Sequence, residues 1–283
     1  MSDQHWPDVH GRISTSNSAG VYYNYYAGAG GTHRISQQAP GYKASLNVMA
    51  STARKVFVTL NFFALSGYGF SSTAGEMQRA KDTLVDQVRS LWSQRRLRLT
   101  LFVLDVRGQP TGVSRNLDVE FRIRWVRSMA SADYVLCVYP TQNDLPMVPG
   151  RTDRPPFVMS GAWTQSHRIE MHIAATEPAW TFSHEFGHCI GLPDEYSHPG
   201  VGYFKPEGRE GLLLQRPDAF IPANRQGGFV SGRRNPDLRT EMSTNPNSNL
   251  LPRHLWPTAI EVRKLVNRTS TSTRFGVEVN FSR

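Results

Sequence analysis

The chain is poor in cysteine: two in 283 residues. Cys137 and Cys189 could close at most one bridge, so no disulfide framework substitutes for a hydrophobic core. Two thiols at unrelated places also argue against a cysteine-based zinc knuckle. Both are expected to be buried free thiols, because Cys137 sits in an apolar run and Cys189 directly follows a candidate ligand. Long apolar runs are absent too. None approaches the roughly 18–20 residues that a membrane helix needs, so no membrane span is expected. The opening Met1-Ser2-Asp3-Gln4-His5-Trp6 has neither a basic nor an apolar leader region, and export through a signal peptide is not expected. Charge is biased but not patterned. The net charge of +9 and pI near 9.8 come from scattered residues, with short clusters only at Arg95-Arg96 and Arg233-Arg234. No basic stripe interleaved with aromatics is present, so a solvated surface is expected and no nucleic acid partner.

What is there is an ordinary globular composition, 39% hydrophobic and 19% charged, sufficient for a real core. Residues 1–45 combine Ser14-Thr15-Ser16-Asn17-Ser18, the tyrosines 22, 23, 25 and 26, and Ala27-Gly28-Ala29-Gly30-Gly31. That mixture predicts a poorly ordered N-terminal arm, and residues 46–283 a single domain. Within the domain, Val56 to Phe63 reads as a strand. Met77, Ala80, Leu84, Val88, Leu91 and Trp92 recur at helical spacing and predict a helix over roughly 74–95, begun by Ser72-Thr73. Strands are expected at about 97–106, 117–126, 133–139 and 168–173, and a closing strand at 274–281. Five prolines predict an extended loop over 140–156. Glu177-Pro178 opens a helix running through Cys189 or Ile190, and Pro257 one to about Val266. The glycine- and proline-rich stretch from Asp194 to about Asp237 resists assignment. The order predicts an α+β fold with a twisted mixed sheet, a backing helix and an active-site helix.

The chemistry sits in Thr181-Phe182-Ser183-His184-Glu185-Phe186-Gly187-His188-Cys189-Ile190-Gly191-Leu192-Pro193-Asp194-Glu195-Tyr196. Residues four apart share a helix face, so His184 and His188 can offer two imidazoles to one ion, and zinc favours such nitrogen ligands. Glu185, one residue round, is placed to act as general base on a metal-activated water. A bare match to this spacing is only moderately specific. A preceding strand, flanking Trp180, Phe182 and Phe186, and a stop at Gly191 raise it above two histidines merely satisfied on a core helix.

His184-Glu185-x-x-His188-x-x-Gly191-x-x-Asp194 resembles the metzincin zinc peptidases, in the variant where aspartate replaces the third histidine. Gly191-Leu192-Pro193-Asp194 is similar to the small bacterial snapalysins. Arg239-Thr240-Glu241-Met242-Ser243 resembles the methionine turn beneath the metal, with Glu241 where metzincins place an apolar residue. The chain also resembles metallopeptidase effector domains of bacterial type VI secretion systems, through His-Glu-Phe-Gly-His, Gly-Leu-Pro-Asp-Glu-Tyr, Arg-Thr-Glu before a methionine, and Pro252-Arg253-His254-Leu255-Trp256. The effector resemblance implies Glu241 as third zinc ligand, whereas spacing after Gly191 favours Asp194; both stay open.

These readings lead to an expected zinc-dependent endopeptidase with Zn2+ on His184, His188 and either Asp194 or Glu241, and with Glu185 as catalytic base. The resemblance implies a bacterial effector toxin, made in the cytoplasm and exported by a contractile type VI-like system. Its partners would be a peptide or protein substrate and a secretion-spike or immunity protein. The competing readings are a zinc amidase acting on cell-wall peptides and a non-catalytic protein with a structural zinc. Tyr196 could donate to an oxyanion and His254 could assist, although packing roles suit both. Met242 reads as plain core apart from the resemblance, and His172 as structural. Glu195 follows the motif, and His167 and His198 carry no pattern. The strand at 168–173 could pair a free edge with an extended peptide, or be covered by a neighbour.

Overall fold

In a computed structural model the chain is described over residues 6–14, 23–26, 32–33, 42–93, 97–146, 161–165, 168–192, 201–205, 219–222, 242, 250 and 252–281. Among these, the strands are Asp8–Ser14 (β1), Tyr23–Tyr26 (β2), Thr32–His33 (β3), Lys43–Met49 (β4), Lys55–Ser66 (β5), Leu97–Leu104 (β6), Pro110–Trp125 (β7), Tyr134–Tyr139 (β8), Gly161–Gln165 (β9), Arg168–Ala174 (β10), Val201–Lys205 (β11), Ala219–Pro222 (β12) and Arg274–Phe281 (β13). The helices are Ala74–Gln87 (α1), Ala179–Cys189 (α2) and Trp256–Thr269 (α3). The fold is α+β, a curled mixed sheet with few helices.

The main sheet runs β13-β6-β7-β5-β8-β10-β9, with β4 and β1 joined to it through β5. Strand β5 is its backbone. On one side it pairs in parallel with β7 from Lys55↔Asp118 to Phe62↔Trp125. Its other side is shared, antiparallel with β4 over Lys55–Thr59 and parallel with β8 over Phe62–Ser66. Alternation decides the faces. Val56, Val58, Leu60 and Phe62 enter the main core with Tyr134, Leu136, Val138, Ile169, Met171 and Ile173, and the helices cover that side. On the opposite face Asn61 donates to Asp133 at 3.0 Å and accepts from Arg124 at 2.7 Å, and Arg12 pairs with Asp133. Both cysteines are buried and free.

Several elements depart from the sequence reading. The supposed arm contributes β1, which pairs with β4 along its whole length and buries Ile13, while Trp6 packs 6.1 Å from Phe275. Part of the tyrosine-rich segment is strand β2, which joins β3, β11 and β12 in a second, four-stranded sheet. Helix α1 starts at the expected place, where Thr73 and Glu76 form a reciprocal capping box. It stops at Gln87, because Val88–Trp92 widens into a single π-type turn. That widening seats Trp92 in the core, with its indole Nε1–H donating to the Ser183 carbonyl at 3.0 Å. Strand β10 has no free edge: β8 lies on one side and β9 on the other. Among the described residues, the strand at that end of the sheet is β9.

Candidate metal centre

A tight turn delivers the chain from the sheet into α2. Ala175 N–H donates to the Tyr139 carbonyl at 2.7 Å and Glu177 N–H to the Ala174 carbonyl at 3.0 Å. Pro178, with extended ψ of 147°, is the N-cap. Its fixed φ suits a helix start and costs no needed donor. Eight of the eleven residues of α2 are buried. Phe182 and Phe186 enter the core, where Phe186 meets Trp92 at 5.6 Å and Phe121 at 5.7 Å between ring centroids. Each such ring contributes about 1.5–3 kcal/mol by burial. At the far end Tyr134 accepts from the Lys43 N–H at 2.8 Å and donates to the Cys189 carbonyl at 2.7 Å. Burial pushes the Tyr134 hydroxyl well above its ordinary range, so it stays protonated and able to donate.

The helix ends in a left-handed turn. Gly191 has φ of 88°. Its N–H donates to the His188 carbonyl, and the Leu192 N–H donates to the Gly187 carbonyl, both at 3.0 Å. This is the two-bond Schellman arrangement that satisfies the last carbonyls of a helix. It also brings the Leu192 carbonyl back under His188, where it lies 2.7 Å from Nδ1. A carbonyl can only accept, so Nδ1 carries a hydrogen, and Nε2 is the ring nitrogen that would face a ligand. A ring fixed in this way is what a metal-ligating histidine requires.

His184 and His188 lie one turn apart, their ring centroids 5.0 Å apart and nearly perpendicular at 88°. One donor atom each from His184, Glu185 and His188 falls within a mutual distance of 4.8 Å. Two nitrogens on a tetrahedral zinc stand about 3.4 Å apart, so little adjustment would seat an ion between them. Glu185 is buried beside them, and Trp180 walls His184 from the preceding turn at 6.4 Å. Below the helix, Met242 and Trp92 fill the space under Gly187. A methyl group at Gly187 would overlap Met242 Sδ and crowd Trp92 Cζ2 at 3.2 Å. His254 is buried and lies 6.4 Å from Trp92 in the same layer.

The three residues expected from the helix spacing are thus brought together. Asp194 and Glu241, the alternatives for third ligand, lie outside the described residues, as do Glu195, Tyr196, His167 and His198. The donor set fits a zinc-type ion: two imidazoles with donor atoms within 4.8 Å, one held at Nδ1 by a carbonyl, and a carboxylate alongside. Sequence reasoning did not find the parts that hold these residues in place, namely Trp92, Tyr134 and the Leu192 carbonyl. They act through backbone groups, which leave no residue pattern. No family model, curated protein or solved structure matches the chain.

Proposed function

We propose that this chain is a zinc-dependent endopeptidase of metzincin-like fold that hydrolyses peptide bonds. The observation that carries the reading is the convergence of His184, Glu185 and His188 on one point, with His188 Nδ1 held against the Leu192 carbonyl. His184 and His188, with a carboxylate from Asp194 or Glu241, would hold the ion. When bound, zinc supplies Lewis acidity, polarising the scissile carbonyl and making an attacking water more acidic. Glu185 takes the proton from that water and returns it to the leaving amine. Its burial keeps competing bulk water from the carboxylate, and its position beside both imidazoles fixes where the attack occurs. Met242 and Trp92 support the helix from below and keep its ligand face in one orientation.

The resemblance to type VI effector domains supports delivery as a bacterial toxin into a target cell, with an immunity protein guarding the producer. The test is metal content and proteolysis of the full chain. Wild type is expected to carry zinc and cleave a denatured protein substrate. Glu185→Gln is expected to retain the zinc and lose roughly 10²–10⁴-fold in rate, and His188→Ala to lose both. Proteolysis at wild-type rate in Glu185→Gln, or a chain that takes up no zinc, overturns the reading.

A further inference from the structure

A second set of donors lies on the opposite face of the sheet from α2. In the parallel β8–β10 ladder Cys137 is the register partner of His172. Glu170 stands two residues before His172, so strand alternation puts all three side chains on one face. All are buried, with exposures of 0% for Cys137, 6% for Glu170 and 2% for His172. One donor atom from each falls within a mutual distance of 4.8 Å. His172 Nε2 lies 3.0 Å from Glu170 Oε2, and Nδ1 lies 2.9 Å from the Tyr139 hydroxyl. The Tyr68 hydroxyl donates to the other carboxylate oxygen, Glu170 Oε1, at 2.8 Å.

We propose that Cys137, Glu170 and His172 form a second metal site, for one borderline-soft divalent cation of the zinc class. Sulfur, imidazole nitrogen and carboxylate oxygen together select zinc over magnesium or calcium, which take oxygen alone. Charge points the same way. A thiolate and a carboxylate neutralise a dication, so the filled site carries no net charge into a buried place, where an unpaired charge is costly. On binding, the thiol releases its proton. The His172 Nε2–H that donates to the Glu170 carboxylate gives way to two bonds to the ion, the ring hydrogen passing to Nδ1, where the Tyr139 oxygen accepts it.

The outer partners are already in place: Tyr139 for the histidine and Tyr68 for the carboxylate. Two paired strands hold the ligands, so the site is preorganised by the ladder itself. A nucleophilic cysteine–histidine pair is the competing chemistry. His172 bonds Glu170 and Tyr139 in this structure, and the cobalt titration separates the two chemistries. Tyr68, which holds Glu170 Oε1, is 51% exposed and carried by the turn Gly67–Phe70. That turn is pressed onto the sheet, the Gly67 N–H meeting the Val138 carbonyl at 2.6 Å and its Cα lying against the Tyr139 ring. A cation here would fasten the turn before α1 to the far face of the sheet.

The test is a cobalt(II) titration of the full chain carrying His184→Ala and His188→Ala, which disables the first centre. The expected result is a thiolate-to-cobalt charge-transfer band in the near ultraviolet that saturates at one cobalt per chain. The band disappears with Cys137→Ser and persists with Cys189→Ser. Tyr139→Phe is expected to weaken binding by roughly tenfold to a hundredfold, with an unchanged circular dichroism spectrum. Glu170→Gln, which still accepts from Tyr68, gives a second reading of the same loss should Cys137→Ser fail to fold. Absence of the band in the folded chain, or its survival in Cys137→Ser, overturns the proposal. Because the signal needs a thiolate, it stands or falls independently of the peptidase reading.

Discussion

The Nδ1–H of His188 donates to the carbonyl of Leu192 at 2.7 Å. This bond joins the His188 ring to a backbone group only four residues on. It exists because Gly191 adopts φ of 88° and turns the chain under the helix. The glycine that ends α2 therefore also sets the orientation and tautomer of a candidate ligand.

Gly191→Ala is expected to destabilise the protein by about 1–2 kcal/mol, the cost of a left-handed conformation for a residue with a Cβ. Loss of the Leu192 bond should also lower zinc affinity by roughly tenfold to a hundredfold. Thermal unfolding and competition with a chromogenic chelator measure the two effects. A destabilised variant with unaltered zinc affinity would show that the turn does not govern His188.

Gly187→Ala places a methyl group where Met242 and Trp92 already pack. Overpacking of this kind costs about 1–3 kcal/mol. Combining it with Met242→Ala should recover part of that cost, since the two substitutions share one space and are not additive. Strict additivity in denaturant unfolding contradicts the contact.

Tyr134→Phe removes the donor to the Cys189 carbonyl and the acceptor for the Lys43 N–H. Each buried backbone group left unsatisfied costs about 1–3 kcal/mol. The expected outcome is a clear loss of stability with zinc stoichiometry unchanged, measured by urea unfolding and metal analysis of the folded fraction.

Asp194→Asn and Glu241→Gln, made separately, decide the third ligand. Removal of a ligand should abolish tight binding, whereas removal of an orienting carboxylate costs roughly tenfold to a hundredfold. The two variants should therefore differ by at least about tenfold in zinc affinity. Equal losses would mean that neither carboxylate alone completes the centre.

Much of the fold was legible because packing imposes a period on the chain. Strand β13 was read to its ends from Phe275, Val277, Val279 and Phe281, and α2 from its capping proline and terminal glycine. Strand β1 was missed because it is mostly exposed, with Ile13 alone fully buried, so alternation had little to show. The early end of α1 was missed because Trp92 continues the helical spacing. Its π-type turn is set by a partner far along the chain, the Ser183 carbonyl. Of the two donor clusters, His184, Glu185 and His188 share one helix face and announce themselves. Cys137, Glu170 and His172 come from two strands, and only their register pairs them. That register also explains why His172 looked merely structural.

The sulfur of Met242 is the floor on which the histidine-bearing helix rests, and thioether sulfur is an oxidisable atom. A sulfoxide oxygen has no room beneath Gly187, so peroxide damage at this one atom would lift α2 even with His184, Glu185 and His188 untouched. Met242 is sealed from solvent, so its lesion can form only during local opening of the structure. Ageing by oxidants is thus gated by breathing of the core rather than by exposure of the centre.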